Sequence, residues 1–217
     1  YRKYIAIISD ADTKKVTEEL YHVDVNALFP TIEAIFGKVY SILPDDIAIG
    51  DQIEIPLGDL GTFTATVQMV KEDKVLFLFD DYIVKRPLNE NGSNEGGYEK
   101  SDLKKWIEND LFKMFPKALR KHMTGLTIPT LGEICGWGDN WDKEHIEPDG
   151  DERLPLMKQR RNRVAYYNNE CSSGWLRNAM KKEFSSAYFA YVNNNGNAAY
   201  YGASASYGVR PEFWLVR

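Results

Sequence analysis

Residues 174–217 read GWLRNAMKKEF (174–184), SSAYFAYVNNNGNAAYYGASASY (185–207) and GVRPEFWLVR (208–217), and this stretch carries most of the information about the fold. Both ends are rich in Trp, Arg and Pro, whereas the middle segment consists almost wholly of Asn, Tyr, Ser, Ala and Gly. The middle segment holds no Lys, Arg, Asp, Glu, Gln, Met or Trp. The pattern predicts a displayed contact surface between two framework strands, and it favours binding over catalysis.

A strand, a turn and a return strand over residues 185–207 would place alternate side chains outward. Asn194, Asn195 and Gly196 predict the turn, because Asn and Gly tolerate a positive φ. The side chains predicted to be exposed and to contact a ligand are Tyr188, Ala190, Tyr191, Asn193, Asn197, Ala199, Tyr200, Tyr201, Ser204 and Ser206. The residues expected in the core are Val192, Val209 and Phe213. The register decides which Tyr faces outward, since a shift by one residue exchanges the two faces.

Trp175, Arg177, Arg210 and Trp214 flank the polar segment and are predicted to be framework residues. An Arg in an otherwise apolar strand is costly to bury unless it is paired or bonded to carbonyl groups. We therefore expect both arginines to bond loop carbonyls or carboxylates.

The composition describes a globular chain long enough to bury a core, with 217 residues, 43% hydrophobic and 27% charged. The net charge of -5 argues against a nucleic-acid-binding module, whose signature is a basic face. One basic cluster, Lys158, Arg160, Arg161 and Arg163, is predicted to be a solvated or internally paired segment. No window approaches the roughly 18 apolar residues of a membrane span, so no membrane insertion is predicted.

The order of the predicted elements indicates an α+β domain over residues 47–217, preceded by an appended helical segment over residues 1–46. The segments IEIPL, TFTATVQMV and KVLFLFDDYIV are predicted strands, with a hairpin turn at residues 71–73. Ser101 is the predicted N-cap of a helix over SDLKKWIENDLFKMF. Short strands and long loops are predicted from there to the hairpin.

Motifs for catalysis or metal binding are weak. The three His residues are scattered, and neither a phosphate-binding loop nor a GxSxG elbow is present. The acidic stretch within residues 139–152 carries oxygen ligands suited to Ca²⁺, but it lacks the spacing of an EF-hand, and a solvated loop is favoured. Cys135 and Cys171 match no metal motif; they could pair in an oxidising compartment, but two buried free thiols are favoured. No cofactor and no metal ion are predicted.

The segments RRNRVAYYN (160–168), WLR (175–177), AYFAYVNNNGN (187–197) and SYGVRPEFWL (206–215) resemble the signature of a large domain family of Firmicutes and their phages. The strand and helix segments upstream also fit that family, so the resemblance covers residues 47–217. The chain departs from the pattern at three positions. Gly174 stands where the family has Trp, Asn178 where it has Ser, and Glu212 where it has Ala.

This resemblance implies the C-type-lectin-like fold of formylglycine-generating-enzyme type, which phage receptor-binding tips and the variable proteins of diversity-generating retroelements also use. It implies non-catalytic recognition of a host-cell or other surface protein or glycan, by a protein at the virion or cell surface that could be an oligomer. Retroelements randomise adenines, and the codons they favour never become Lys, Glu, Gln, Met or Trp. Every residue of 185–207 belongs to the permitted set, whereas residues 180–183 (MKKE) do not.

Two alternatives stay open at this point. The first is an enzyme of the formylglycine-generating branch, which needs a reactive Cys pair that only Cys135 and Cys171 could supply. The second is a structural tail or wall component without a dedicated ligand.

Overall fold

The computed structural model describes residues 3–4, 43–138 and 140–217, and within them β-sheets dominate over short helices. The helices predicted within residues 13–37 lie outside the described residues. The α+β class predicted from the sequence is confirmed.

A large sheet forms one layer of the molecule. Its strands are β1 (Lys3–Tyr4), β2 (Gln52–Pro56), β3 (Thr62–Val70), β4 (Lys74–Phe79), β6 (Met123–Thr127) and β13 (Glu212–Val216). They lie in the order β1-β2-β3-β4-β13-β6. The pairing is antiparallel except for β1, which adds to β2 in parallel.

A small sheet forms the second layer. Its strands are β5 (Val84–Arg86), β9 (Gly174–Ala179), β10 (Tyr188–Val192), β11 (Ala198–Gly202) and β12 (Tyr207–Val209). They lie in the order β11-β10-β9-β12-β5, so β11 is an edge strand. A separate ribbon pairs β7 (Ala165–Tyr167) with β8 (Glu170–Ser172).

The helices are short. They are α1 (Asp102–Trp106), a π-helical segment (Ile107–Leu111) that continues into α2 (Phe112–Met114), α3 (Lys117–Arg120), α4 (Leu131–Ile134) and α5 (Asn140–His145). Single 3-10 turns cover Gly58–Leu60, Tyr98–Lys100, Pro155–Lys158 and Arg160–Arg163. The predicted cap is confirmed, because the Ser101 side chain accepts a hydrogen bond from the Lys104 amide at 3.1 Å. Among the described residues, no helix has the length and apolar character needed to cross a membrane.

Strand β4 is buried on both faces, which explains its continuous apolar sequence KVLFLF. Val75, Phe77 and Phe79 belong to the larger of two hydrophobic clusters. Leu76 and Leu78 belong to the smaller one, on the opposite face. The large sheet therefore lies between two cores.

The larger cluster joins the large sheet to the helical segment and to one face of the small sheet. Val209 and Phe213 lie in it, and Val192 lies in the smaller cluster, so these three residues are buried as predicted. Phe213 stacks on Phe77 with ring centroids 5.6 Å apart.

The sequence predicted one strand over KVLFLFDDYIV, and this was wrong. The segment supplies β4 of the large sheet and then leads into β5 of the small sheet. Residues 80–83 carry the chain from one sheet to the other. Backbone bonds from Phe79 N to Pro211 O (3.0 Å) and from Tyr82 N to Tyr166 O (2.9 Å) hold this crossover. The apolar pattern does not record the change of sheet, because Tyr82 and Ile83 in the crossover are buried like the residues of β4.

Candidate functional site

The hairpin β10–β11 is the centre of the candidate site. The strands pair from Tyr188↔Gly202 to Val192↔Ala198, and Gly196 takes a φ of 76° at the turn. The Asn193 side-chain oxygen accepts hydrogen bonds from the amides of Asn195 (2.9 Å) and Asn197 (3.1 Å), which closes the turn. The predicted hairpin turn is confirmed.

The hairpin and its N-terminal approach expose a group of aromatic rings. Within the described residues, six large apolar or aromatic side chains are exposed, and four of them lie here. They are Phe184 (42% exposed), Tyr188 (39%), Tyr200 (38%) and Tyr201 (55%). We call these four residues the aromatic surface. Their clustering sets them apart from the scattered apolar residues that every protein surface carries.

Helix α5 supports one side of the aromatic surface. Tyr200 stacks on Trp141 with ring centroids 4.7 Å apart and an interplanar angle of 18°. Trp141 also stacks on His145 at 4.4 Å and meets the edge of Phe184 at 5.5 Å. Tyr188 lies 6.2 Å from Tyr200. The exposed rings therefore rest on other rings and are held in fixed orientations.

The other side of the aromatic surface continues into the interior. Tyr201 lies 5.9 Å from Tyr207, and Tyr207 lies 4.6 Å from Tyr191 and 4.8 Å from the buried Trp175. Tyr188 is stacked near Tyr201 at 6.4 Å and so joins the two sides. Burial, with the neighbouring Tyr191 and Tyr201, raises the pKa of Tyr207 to about 12. This phenol keeps its proton at neutral pH.

The predicted contact residues divide into three groups. Exposed side chains are Tyr188, Asn197, Tyr200, Tyr201, Ser204 and Ser206, and half-buried ones are Tyr191, Asn193 and Ala199. Ala190 is completely buried, so the prediction that it is exposed was wrong. The simple alternation failed because β10 packs on both faces, with Phe189 in the larger cluster and Ala190 in the smaller one.

Asn94 anchors the base of the hairpin, and sequence reasoning missed it. Its side-chain amide donates to the carbonyl oxygens of Met180 (3.1 Å), Ser185 (2.9 Å) and Tyr188 (3.1 Å). Sequence reasoning also missed the support from Trp141 and Phe184. Phe184 immediately precedes the polar segment, whereas Asn94 and Trp141 are distant in the chain and only the tertiary structure brings them to the hairpin.

The flanking arginines are paired in the way the sequence predicted. Arg177 Nη2 contacts Glu133 Oε2 at 3.0 Å and Glu212 Oε1 at 3.2 Å. Burial alone would lower the pKa of Arg177, but the carboxylates of Glu212 and Glu133 raise it. The buried Arg210 donates from Nε to Phe79 O at 2.6 Å and from Nη1 to Asn162 O at 3.4 Å.

The two tryptophans of the framework differ in their surroundings. Trp175 is buried, and its indole N–H donates to Arg86 O at 2.9 Å. Trp214 is half-buried, and the ammonium groups of Lys71 and Lys74 lie over its ring at 4.9 and 4.7 Å.

Part of the acidic stretch is built into the structure, so the prediction of a solvated loop was wrong there. Asp149 accepts four hydrogen bonds, from the amides of Gly132 and Asp151 and from the side chains of Trp137 and Asn178. Burial alone would raise the pKa of Asp149, but these bonds lower it. Asp139 lies outside the described residues. Among the residues that the structure describes, no group of three His, Cys, Asp or Glu side chains is placed to hold a metal ion.

Each of the three departures from the resembled signature has a structural counterpart. A Cβ at Gly174 would lie 2.0 Å from Cε1 of Tyr82, so the tyrosine ring fills the space a side chain would need. Asn178 accepts from the Leu131 amide at 2.7 Å and thereby holds the start of α4. Glu212 is buried beside Arg177, with which it forms the ion pair described above.

The two cysteines are unpaired and differ in exposure. Cys135 is buried, and burial raises the pKa of its thiol to about 11. Cys171 is exposed, so the prediction of two buried thiols was wrong for this residue. Its strand, β8, belongs to the two-stranded ribbon, which leaves one face of the strand uncovered at this position.

A family model described as a domain of unknown function, DUF6273, matches residues 72–217. The matched region spans β4 to β13 and includes the aromatic surface together with all the residues that support it. No curated protein and no solved structure matches the chain.

Proposed function

The chain belongs to the DUF6273 family, a domain of unknown function, and we propose that it recognises a protein or glycan without catalysis, through the aromatic surface of its edge hairpin. The observation that carries this proposal is the clustering of Phe184, Tyr188, Tyr200 and Tyr201, which are 38–55% exposed and held by further rings.

The physical properties of this surface suit a binding site. A Tyr ring offers a large contact area at a low cost in side-chain entropy, and its hydroxyl supplies a hydrogen bond. Contact of Tyr200 with Trp141 and of Tyr201 with Tyr207 orders the rings before a ligand arrives, which reduces the entropy lost on binding. No residue of 185–207 is charged, so a ligand docks there without desolvating a charge.

We propose further that the fold is C-type-lectin-like, of the formylglycine-generating-enzyme type, and that the natural partner is a host-cell or other surface protein or glycan. The support is the order of elements: the WLR strand β9, the hairpin β10–β11 and the GVRP strand β12 lie side by side in one small sheet. In this arrangement β11 lies at a sheet edge, whereas the framework strands β9 and β12 are largely buried. Placement at a virion or cell surface and diversification by a retroelement belong to the same proposal.

The enzymatic alternative finds little support in the two cysteines. A thiol nucleophile works as the thiolate, and the raised pKa of Cys135 opposes that form. Cys135 and Cys171 are free and lie in different surroundings, one buried and the other exposed. No observation favours the structural-component alternative over recognition.

A binding screen with matched variants tests the proposal. The probes are an array of neutral glycans and Gram-positive cells depleted of anionic wall polymers, so that charge does not contribute to binding; they are applied to the wild-type protein, to Tyr188→Ala/Tyr201→Ala and to Tyr166→Ala. Tyr166 is 45% exposed and lies on β7, so it controls for the loss of an exposed Tyr elsewhere. We expect the double variant to lose at least about tenfold in affinity and the control to bind like the wild type.

Two results would overturn the proposal: wild-type protein that binds neither probe, or a double variant that binds as tightly as the wild type. Sequencing the gene across a natural population tests diversification separately. Substitutions crowded into codons 185–206 at adenines of a nearby template, with Trp175–Arg177 and Gly208–Pro211 unchanged, are the expected result. Scattered silent changes would leave a binder of fixed specificity.

A further inference from the structure

A polar groove lies at the tip of the hairpin, away from the aromatic surface. Its volume is ≈ 800 Å³. The polar side chains that line it are Gln159, Arg160 and Arg161 from one segment and Asn194, Asn195 and Asn197 from the hairpin tip. Of these six, only Asn197 belongs to the set that the sequence predicted to contact a ligand.

Gly196 fixes the distance between the two walls. A Cβ at this position would lie 2.7 Å from the Arg160 carbonyl oxygen and 3.2 Å from Arg160 Cγ. The hairpin tip therefore packs directly against the backbone of the 3-10 turn Arg160–Arg163. Because Gly196 also takes a φ of 76°, the turn disfavours most larger residues, and the contact with Arg160 leaves no space for a side chain.

The groove carries positive charge that the surrounding protein does not balance. Arg160 and Arg161 are exposed, and neither side chain forms an ion pair or hydrogen bond with another described residue. Burial, together with the like charges of Arg153 and Arg160, lowers the pKa of Arg163. No carboxylate lines the groove, although the whole chain has a net charge of -5.

From this geometry we propose that the groove binds an anionic glycan, a hydroxyl-rich chain that bears carboxylate or phosphate groups. The guanidinium groups of Arg160 and Arg161 match the geometry of carboxylate and phosphate oxygens. The amide groups of Gln159, Asn194 and Asn195 both donate and accept hydrogen bonds, as sugar hydroxyls require. The site is separate from the aromatic surface and does not depend on the function proposed for it.

The lining favours a glycan over a nucleic acid. Proteins that bind single-stranded nucleic acid combine a basic track with aromatic rings on which bases stack. No aromatic residue lines this groove, and the basic segment is short.

Isothermal titration at physiological ionic strength tests the inference with defined probes. They are an oligogalacturonate, a poly(glycerol phosphate), a neutral oligogalactose of the same length as the first, and a single-stranded oligodeoxynucleotide. The test variant is Arg160→Gln/Arg161→Gln. The control is Lys113→Gln/Lys121→Gln, which removes the same charge from exposed positions outside the groove.

We expect saturable binding of at least one anionic glycan and none of the neutral one. The oligogalacturonate arm reports on carboxylates and the poly(glycerol phosphate) arm on phosphates. The arginine variant should lose at least about tenfold in affinity, since charge-assisted hydrogen bonds disappear. The lysine control and Tyr188→Ala/Tyr201→Ala should bind like the wild type.

Four results would overturn the inference. They are no saturable binding of either anionic glycan, equal losses in the arginine variant and the lysine control, tighter binding of the oligonucleotide, or loss of binding in the tyrosine variant. Equal losses would show a response to net charge alone, and loss in the tyrosine variant would show that the groove is not a separate site.

Discussion

Arg177 Nη2 lies 3.2 Å from Glu212 Oε1, and this contact joins β9 of the small sheet to β13 of the large sheet. The Glu212 side chain is only 3% exposed, and its Oε2 has no hydrogen-bond partner among the described residues. The same guanidinium also contacts Glu133, so one positive charge serves two carboxyl groups. Burial, and after it the charge of Glu133, raises the pKa of Glu212 well above its ordinary value.

The first prediction concerns Glu212→Gln. Because the folded protein holds a proton on Glu212 more tightly than the unfolded chain does, this residue stabilises the fold fully below its unfolded pKa of 4.5. That contribution is lost as the pH rises from 4.5 through the raised folded pKa. Gln mimics the protonated carboxyl at every pH. Urea unfolding across this pH range should show the wild type losing stability relative to Glu212→Gln as the pH rises.

Glu72→Gln, at an exposed position in the β3–β4 turn, is the control and should leave the pH profile unchanged. Parallel profiles for the wild type and Glu212→Gln over the whole range would contradict the raised pKa of Glu212.

The second prediction concerns the contact of Gly174 with Tyr82. In Gly174→Ala the new Cβ would meet the ring at 2.0 Å, and overpacking of this kind costs about 1–3 kcal/mol or more in the free energy of unfolding. Gly202→Ala is the control, since its Cβ would lie 3.8 Å from Tyr188 in ordinary contact. Urea denaturation at neutral pH compares the two. Equal stabilities would show that Tyr82 moves aside without cost.

The third prediction concerns Asp149→Asn. Each oxygen of Asp149 accepts two of the four bonds, and an amide nitrogen cannot accept, so two donors lose their partner in the variant and we expect a cost of about 1–3 kcal/mol at neutral pH. The pKa of Asp149 is lowered in the fold, so its stabilisation is present above 3.8 and disappears as the pH falls through the lower folded value.

Thermal unfolding at several pH values should therefore show Asp149→Asn approaching the wild type in acid. Asp110→Asn, an exposed position on the π-helical segment, is the control. A difference from the wild type that persists unchanged in acid would attribute the loss to packing and not to the carboxylate.

The fourth prediction concerns the stacking of Tyr200 on Trp141 at 4.7 Å. A double-mutant cycle with both residues changed to Ala should give a coupling free energy of about 0.5–1.5 kcal/mol in urea unfolding. Trp141 and Tyr201 have no ring contact, so the corresponding cycle should be additive. A coupling near zero for the first pair would mean that α5 does not hold the hairpin in solution.

Local patterns predicted the parts of the fold that depend on local physics. The alternation in TFTATVQMV predicted β3, and Ser101 predicted the helix that follows it. The Asn-Asn-Gly turn predicted the hairpin, because only a few residue types accept its backbone conformation. These elements depend on neighbours within a few residues of one another.

Predictions failed where two distant segments share a surface. Ala190 was expected outside and lies in the smaller core, because a layer that includes α4 covers that face of β10. Trp141 supports Tyr200 from a distant part of the chain, and no local signal points to this contact. Cys171 is exposed because its strand, β8, pairs only with β7 and leaves one face uncovered at this position.

By itself, the sequence determined the α+β class, the position of the hairpin, the pairing of its flanking arginines and the absence of charge along it, since these follow from residue type and local spacing. Only the tertiary structure decided which side of the hairpin is free, which rings support it and which arginines lack partners. Burial and ion pairing depend on the packing of segments distant in the chain. Such packing brings Trp141 to Tyr200 and Gly196 to Arg160, and these contacts shape both proposed binding sites.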